Sequence, residues 1–286
     1  MSKTKLRTGI VGATGYVGQR FVTLLQDHPW FDVVKLAASK RSAGKTYETA
    51  LEGRWRIDVE LPERYKDWVL YDAADVEAFC KDLDVVFCAV DMDKKELIAL
   101  EEAMAKQEVC VISNNSANRW TEDVPMIIPE VNPEHAALID AQRKRLGTSK
   151  GFIACKPNCS IQSYVPALDA LKEYEPDKVI VSTYQAISGA GKTFESWPEM
   201  IANVIPYIGG EEAKSEDEPM KIWGTVEDGK VKLAERPLIS AQCYRVAVQE
   251  GHTASIAVSF KKPVSKEQII DAWKHYEGKE ISRDLP

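Results

Sequence analysis

A short apolar run, Leu6 to Val11, passes directly into Gly12-Ala13-Thr14-Gly15-Tyr16-Val17-Gly18. A segment from Arg20 to Gln26 comes next, with Phe21, Leu24 and Leu25 at helical spacing. A strand, a glycine turn and a helix in that order are what a pyrophosphate requires. Glycine lets the main chain approach the phosphates, and the first turn of the helix offers free N–H groups and the positive end of its dipole. The spacing is GxxGxxG rather than GxGxxG, so the loop taken alone is equally compatible with a plain tight turn. Its place on the first strand of a β–α series is what favours a dinucleotide.

That series continues. Val33 to Ala38, Val85 to Val90 and Val109 to Ser113 read as strands, and Asp93 to Lys106 reads as a helix. Leu97, Leu100 and Met104 form the helix's apolar stripe, with Asp93 as its N-cap. Alternation of this kind implies parallel strands joined by helical crossovers, a doubly wound α/β sheet. Residues 40 to 68 are a charged excursion carrying at most one helix and irregular turns. The character changes near residue 150. Phe152 to Cys155 is a short strand, Ser160 to Glu173 reads as one helix bent by Pro166, and Lys178 to Ile187 and Ser255 to Phe260 are longer β-rich runs. A second, α+β domain on a mixed or antiparallel sheet is expected, and 286 residues leave room for about two domains. The acidic stretch Glu211 to Glu218 reads as a solvated loop.

Composition narrows the function. The net charge of −7 argues against a protein whose work is gripping nucleic acid. The longest apolar runs are far too short to cross a bilayer. Met1 to Lys5 lead into the first strand without an apolar leader. The six cysteines lack paired spacing, Cys80, Cys88 and Cys110 read as buried thiols, and no metal site is expected. A cytoplasmic protein with no membrane partner is the expectation.

The end of the second strand selects the cofactor. An NAD site usually carries an acid there to bind the ribose 2′-hydroxyl. This chain has Ser39-Lys40-Arg41-Ser42, two hydroxyls and two cations, which suits the 2′-phosphate of NADP; a solvated basic turn is the plain alternative. Cys159, in Lys156-Pro157-Asn158-Cys159-Ser160, sits at a polar strand-to-helix corner, where a helix N-terminus would favour its thiolate. Cys155 should be buried on its strand. Of the four histidines, His28, His135 and His275 have adequate structural explanations. His252 lies in a turn beside Gly251, with Arg245 seven residues upstream, and suits acid/base work next to an anion site. Gly189-Ala190-Gly191-Lys192-Thr193 imitates the end of a P-loop. Ala186, however, stands where the first glycine belongs, Pro198 interrupts the segment downstream, and no Walker B strand is evident.

Taken together, GATGYVG, SNNSANR (113–119), PNCS (157–160), SGAGK (188–192), EEAK (211–214) and RVAVQEGHT (245–253) resemble aspartate-semialdehyde dehydrogenases. The stretch 38–45, ASKRSAGK, is similar to their archaeal and fungal branch. The resemblance runs in order along nearly the whole chain. It implies a Rossmann-type NADP-binding domain over 1–157 and a catalytic and dimerisation domain over 158–286. It also implies a homodimer or homotetramer, and reversible reductive dephosphorylation of β-aspartyl phosphate in the synthesis of lysine, threonine and methionine. By matching motif, Cys159 would form a thioester and His252 would be general acid/base. Arg245 would clamp the substrate α-carboxylate, Glu211 would hold its amine, and Lys214 with Arg119 would bind phosphate. Gln185 would orient the acyl group and Asn158 would support the nucleophile. Gly12, Ala13, Thr14, Gly15, Tyr16, Val17, Ser39, Lys40, Arg41 and Ser42, with Ser188 and Gly189, would contact the cofactor.

Three departures stand out. Ala247 replaces a usual proline, Ile161 replaces a usual threonine, and family members continue beyond Pro286. A chain cut short within its second domain is the expectation, with apolar surface exposed where the family's C-terminal helix packs back on the nucleotide domain. The alternatives are malonyl-CoA reductase, N-acetylglutamyl-phosphate reductase (usually Pro-Gly-Cys rather than Pro-Asn-Cys), or a non-catalytic NADP-binding protein.

Overall fold

The computed structural model describes residues 4–286. They form two compact units that interleave in sequence: the described residues up to 125 with 138–156, and 126–137 with 157–286. Residues 126–137 therefore pack with the second unit, which a single contiguous boundary does not anticipate.

The first unit holds β1 (Leu6–Val11), α1 (Tyr16–Leu25), β2 (Phe31–Ala38), α2 (Tyr47–Leu51), β3 (Tyr71–Asp72), α3 (Val76–Cys80), β4 (Val85–Cys88), α4 (Lys94–Lys106), β5 (Cys110–Ser113), α5 (Leu138–Leu146) and β6 (Phe152–Cys155). Its six strands run in the order β3-β2-β1-β4-β5-β6, all parallel. The doubly wound sheet read from the sequence is borne out. The strands are short and apolar because a parallel sheet is covered on both faces: Ile10, Val11, Val33, Val86, Val111 and Ile153 are fully buried. Each such side chain contributes about 1.5–3 kcal/mol. Asp93 caps α4 as expected, accepting from the N–H groups of Lys95 and Glu96.

A buried carboxylate organises the loop after β5. Glu101, on α4, accepts from Ser113 Oγ at 2.6 Å, Asn115 Nδ2 at 2.9 Å and Asn118 Nδ2 at 2.8 Å. All three partners donate, which is the arrangement a buried carboxylate needs.

The second unit holds α6 (Val165–Asp169), β7 (Pro176–Gln185), β8 (Val204–Ile205), α7 (Glu211–Ile222), β9 (Thr225–Glu227), β10 (Lys230–Lys232), β11 (Leu238–Val246), β12 (His252–Phe260) and α8 (Lys266–Lys274). Its main sheet is mixed, in the order β12-β7-β11-β8, with β7 parallel to β11 and antiparallel to β12. The mixed sheet agrees with the α+β expectation.

Three local readings need correction. The single helix expected over 160–173 is a 3₁₀ turn (Ile161–Ser163), the short α6 and another 3₁₀ turn (Lys172–Tyr174). Pro166 does not bend a helix interior but stands in the first turn of α6, where its missing N–H costs nothing. The acidic stretch from Glu211 is not a loop: it is α7, which buries Glu211, Ser215, Glu218 and Lys221. Cys110 is half-buried rather than buried, while Cys80 and Cys88 are buried as expected.

Candidate active site

In the first unit, the glycine turn has the shape a dinucleotide needs. Gly12 has φ +84°, and a Cβ there would lie 2.4 Å from Ala89 O. A Cβ on Gly18 would lie 2.1 Å from Gly12 O, so this glycine lets α1 close onto the turn. Gly15, the residue before α1, is exposed and nothing crowds its Cβ position closer than 3.4 Å. Ala13 is buried and its carbonyl accepts the Tyr47 hydroxyl at 2.7 Å, which pins the loop from below. Thr14 and Tyr16 are half-buried and Val17 is exposed. At the end of β2, Ser39, Lys40 and Arg41 are exposed, while Ser42 is buried and donates its N–H to Ser39 O at 2.8 Å. Arg119 is buried; its Nε donates to Lys156 O at 3.0 Å and its Nη2 to Asn114 O at 3.4 Å.

In the second unit, the structure assembles most of the residues singled out in the sequence. Gln185, at the end of β7, is the rung between two strands: Arg245 of β11 is its partner on one side and His252 of β12 on the other. His252 opens β12 rather than standing in a turn ahead of it. Cys159 is exposed, and its Sγ lies 3.2 Å from His252 Nε2. No α-helix begins at Cys159, only the 3₁₀ turn, so the helix-dipole argument does not apply; what lies beside the thiol is the His252 imidazole. Cys155 is buried on β6 as expected.

Behind the thiol is a buried network. Asn158 Nδ2 donates to Glu211 Oε1 and Oε2 at 3.2 and 2.9 Å, and Asn158 Oδ1 accepts from Ser160 N–H and Oγ at 2.9 and 2.7 Å. The Asn158 N–H donates to Glu218 Oε2 at 2.6 Å. Glu211 also receives Lys214 Nζ at 2.7 Å and Gln185 Nε2 at 3.4 Å. Burial alone would raise the Glu211 carboxyl, but the bonds and charge from Lys214, with those from Asn158 and Gln185, outweigh it and hold the group below the usual carboxylate range. Burial pulls the Arg245 guanidinium down from its ordinary value, and the charge of Glu211 acts in the opposite sense.

Lys214, expected at phosphate, is thus engaged with Glu211. Gly189 lies against the catalytic candidates: a Cβ there would sit 2.9 Å from Arg245 Nη1 and 3.0 Å from His252 Cε1. The P-loop imitation around it is a 3₁₀ turn, Ile187–Ala190, and Ser188 lies within that turn, donating its N–H to Gln249 O. Sequence reasoning missed Glu218. Its spacing of seven from Glu211, with Lys214 between, would have put all three on one helix face had the helix been recognised. No group of His, Cys, Asp and Glu able to hold a metal ion occurs among the described residues, and none of their helices is long and apolar enough to cross a membrane.

Two family models match the chain: semialdehyde dehydrogenase, NAD binding domain, over residues 7–139, and semialdehyde dehydrogenase, dimerisation domain, over residues 166–285. The aspartate-semialdehyde dehydrogenase of Archaeoglobus fulgidus is 41% identical over 268 residues, covering 93% of this chain and 75% of that protein. The chain belongs to the aspartate-semialdehyde dehydrogenase family. The enzyme of the same name from Saccharomyces cerevisiae is 40% identical, covering 93% of this chain and 77% of that protein. Among solved structures, aspartate semialdehyde dehydrogenase with NADP from Candida albicans aligns with a TM-score of 0.83 at 35% identity, covering 96% of this chain and 77% of that one. The family is one of oxidoreductases, and the malonyl-CoA and N-acetylglutamyl-phosphate alternatives are not favoured.

Proposed function

We propose that the chain interconverts β-aspartyl phosphate and aspartate semialdehyde with NADP, through a thioester on Cys159. The observation that carries this reading is the 3.2 Å approach of Cys159 Sγ to His252 Nε2, beside a rung where Gln185 is flanked by Arg245 and His252. The substrate carries one cation and two anionic groups. Arg245 offers a buried planar fork for its α-carboxylate, and Glu211 a carboxylate for its amine. Gln185 orients the acyl group and Asn158 holds the turn that presents the thiol; Lys214, and in the first unit Arg119, are each proposed for phosphate. Cys159 attacks the acyl carbon, phosphate leaves, and His252 acts beside the thiol as general acid/base.

The glycine turn fits a dinucleotide, because a Cβ at Gly12 or Gly18 would fill the turn's close approaches. Gly12, Ala13, Thr14, Gly15, Tyr16 and Val17 would hold the pyrophosphate, and Ser39, Lys40, Arg41 and Ser42 the 2′-phosphate, with Ser188 and Gly189 as further contacts. When bound, NADPH supplies the hydride that reduces the thioester.

A dimer is part of the proposal. The outer face of the mixed sheet exposes Ile180, Tyr184 and Leu238, with Tyr184 stacked on Tyr244 at 5.9 Å, and apolar sheet surface of this kind suits a second copy. All six cysteines are free thiols, in keeping with a reducing cytoplasm. The test is a phosphate-dependent assay with aspartate semialdehyde, following NADPH absorbance with NADP and then with NAD. Turnover that requires phosphate, prefers NADP and disappears in Cys159→Ala is expected. Phosphate-independent turnover would overturn the phosphorylating reaction, and a Cys159→Ala variant near wild-type rate would overturn the thioester scheme.

A further inference from the structure

We propose that Glu218 is a positioning residue for the nucleophile: its carboxyl oxygen holds the N–H of Asn158, and through that bond helix α7 sets where the chain presents Cys159. The proposal rests on the reading of Cys159 as the nucleophile and adds a residue that acts on the thiol through its neighbour.

The corner from Pro157 to Ser160 belongs to no strand or helix, so its main-chain groups need partners from elsewhere. Pro157 has no N–H to offer, and Asn158 is buried, so the Asn158 N–H is a buried donor without a sheet rung to serve it. Glu218, itself buried on α7, accepts it at Oε2 over 2.6 Å. The side chain of Asn158 is committed separately. Its Nδ2 donates to Glu211, and its Oδ1 accepts from the N–H and Oγ of Ser160. Main chain and side chain of the residue before the nucleophile are thus held at two points of one helix, two turns apart on the same face.

The residue after Glu218 makes a further tie. Pro219 lies inside α7 and brings no N–H to the Ser215 carbonyl one turn earlier; that carbonyl accepts the Tyr164 hydroxyl at 2.8 Å. Asn158 and Tyr164 stand on either side of Cys159 in the chain, so α7 grips the segment both before and after the thiol.

The neighbouring face of α7 is fastened to β11. Glu212 accepts the Cys243 N–H at 3.3 Å and Glu216 the Ala241 N–H at 3.0 Å. These donors lie along the edge that β8 leaves open, because β8 pairs only with Arg245 and Val246. The same strand carries Arg245 on its rung with Gln185. Helix α7 is therefore a strut between the strand of Arg245 and the corner of Cys159, and Glu218 is where the strut bears on the main chain beside the thiol.

The test compares Glu218→Gln, whose amide oxygen can still accept the Asn158 N–H, with Glu218→Leu, which fills a similar volume and accepts nothing. Each variant is assayed well below its own melting temperature, so that folded enzyme is what is read. Leucine should lower kcat by about tenfold or more and glutamine by no more than about threefold, with the KM for aspartate semialdehyde within about threefold of wild type in both. A lowered melting temperature with kcat kept in Glu218→Leu would make the residue purely structural and overturn the proposal. Equal losses of kcat in the two variants would also overturn it, since the accepted hydrogen bond would not be the cause. Should leucine prevent folding, Glu218→Asp carries the test: it withdraws the oxygen by one methylene, a loss of kcat is expected, and a wild-type kcat overturns the proposal. Near-wild-type turnover in Cys159→Ala is a different failure, which removes the nucleophile itself and the positioning role with it.

Discussion

The side-chain amide of Asn158 reaches both oxygens of Glu211, at 3.2 and 2.9 Å, so the residue before the nucleophile is tied to the carboxylate assigned to the substrate amine. Removing Glu211 should therefore act on substrate binding and on the thiol turn together. Hydrogen bonds to charged groups are worth about 1.5–3 kcal/mol, or roughly tenfold to a hundredfold. Glu211→Ala is expected to raise the KM for aspartate semialdehyde by about that factor and to lower kcat. Steady-state kinetics with each substrate varied will check it; an unchanged semialdehyde KM removes Glu211 from the site.

Gly189→Ala should uncouple activity from stability. The added Cβ would meet Arg245 Nη1 at 2.9 Å and His252 Cε1 at 3.0 Å, and both groups are held by the Ala186 backbone. The residue lies in a 3₁₀ turn that alanine tolerates. Thermal melting should move by no more than a few degrees while kcat/KM falls by about tenfold or more. Wild-type kinetics would mean that the site yields more easily than its packing indicates.

Thiol labelling should be selective. Burial pushes Cys80 up to about 12 and raises Cys88, Cys110 and Cys243, whereas Cys159 is exposed beside His252. The thiolate is the reactive form. One equivalent of iodoacetamide at neutral pH should modify Cys159 first and abolish turnover in proportion. Peptide mapping checks the site, and earlier labelling of any other cysteine would contradict the assignment.

Acid stability depends on Glu211. Its carboxyl is held below the ordinary value of 4.5, so its contribution to folding is complete above that value and is lost as pH falls through the lowered one. Urea titrations on the acid side should show wild type losing an increment of stability that Glu211→Gln, already lacking it, does not lose. Parallel pH dependence in the two proteins would refute the assignment.

Most of the first unit was legible because a parallel sheet writes itself as apolar runs between helical stripes, and because Gly12 and Gly18 answer a backbone need that no other residue meets. The pairing of Cys159 with His252 has its traces in a polar Pro-Asn-Cys-Ser corner and in a histidine beside Gly251. Helix α7 was not. It buries Glu211, Ser215, Glu218 and Lys221, so it lacks the apolar stripe by which a helix is recognised, and Gly209, Gly210 and Pro219 add turn signals at both ends. The role of the Ala186 backbone leaves no trace in residue type, since any residue but proline supplies an N–H.

The rung formed by Arg245, Gln185 and His252 sets what kind of change this chain can absorb. In a strand, a shift of one residue turns every side chain to the opposite face. Insertion or deletion of a single residue near the end of β7, at the end of β11 or at the start of β12 would swing one of the three groups away from the other two, however well the sheet re-formed. The segment 247–251, which joins β11 to β12, is held at Val248 and Gln249, whose carbonyls accept the N–H groups of Ile187 and Ser188, so its tolerance of length lies past Gln249 so long as the two strands keep their register. Length variation among working descendants of this chain is thereby steered out of the strands and into the connection between them.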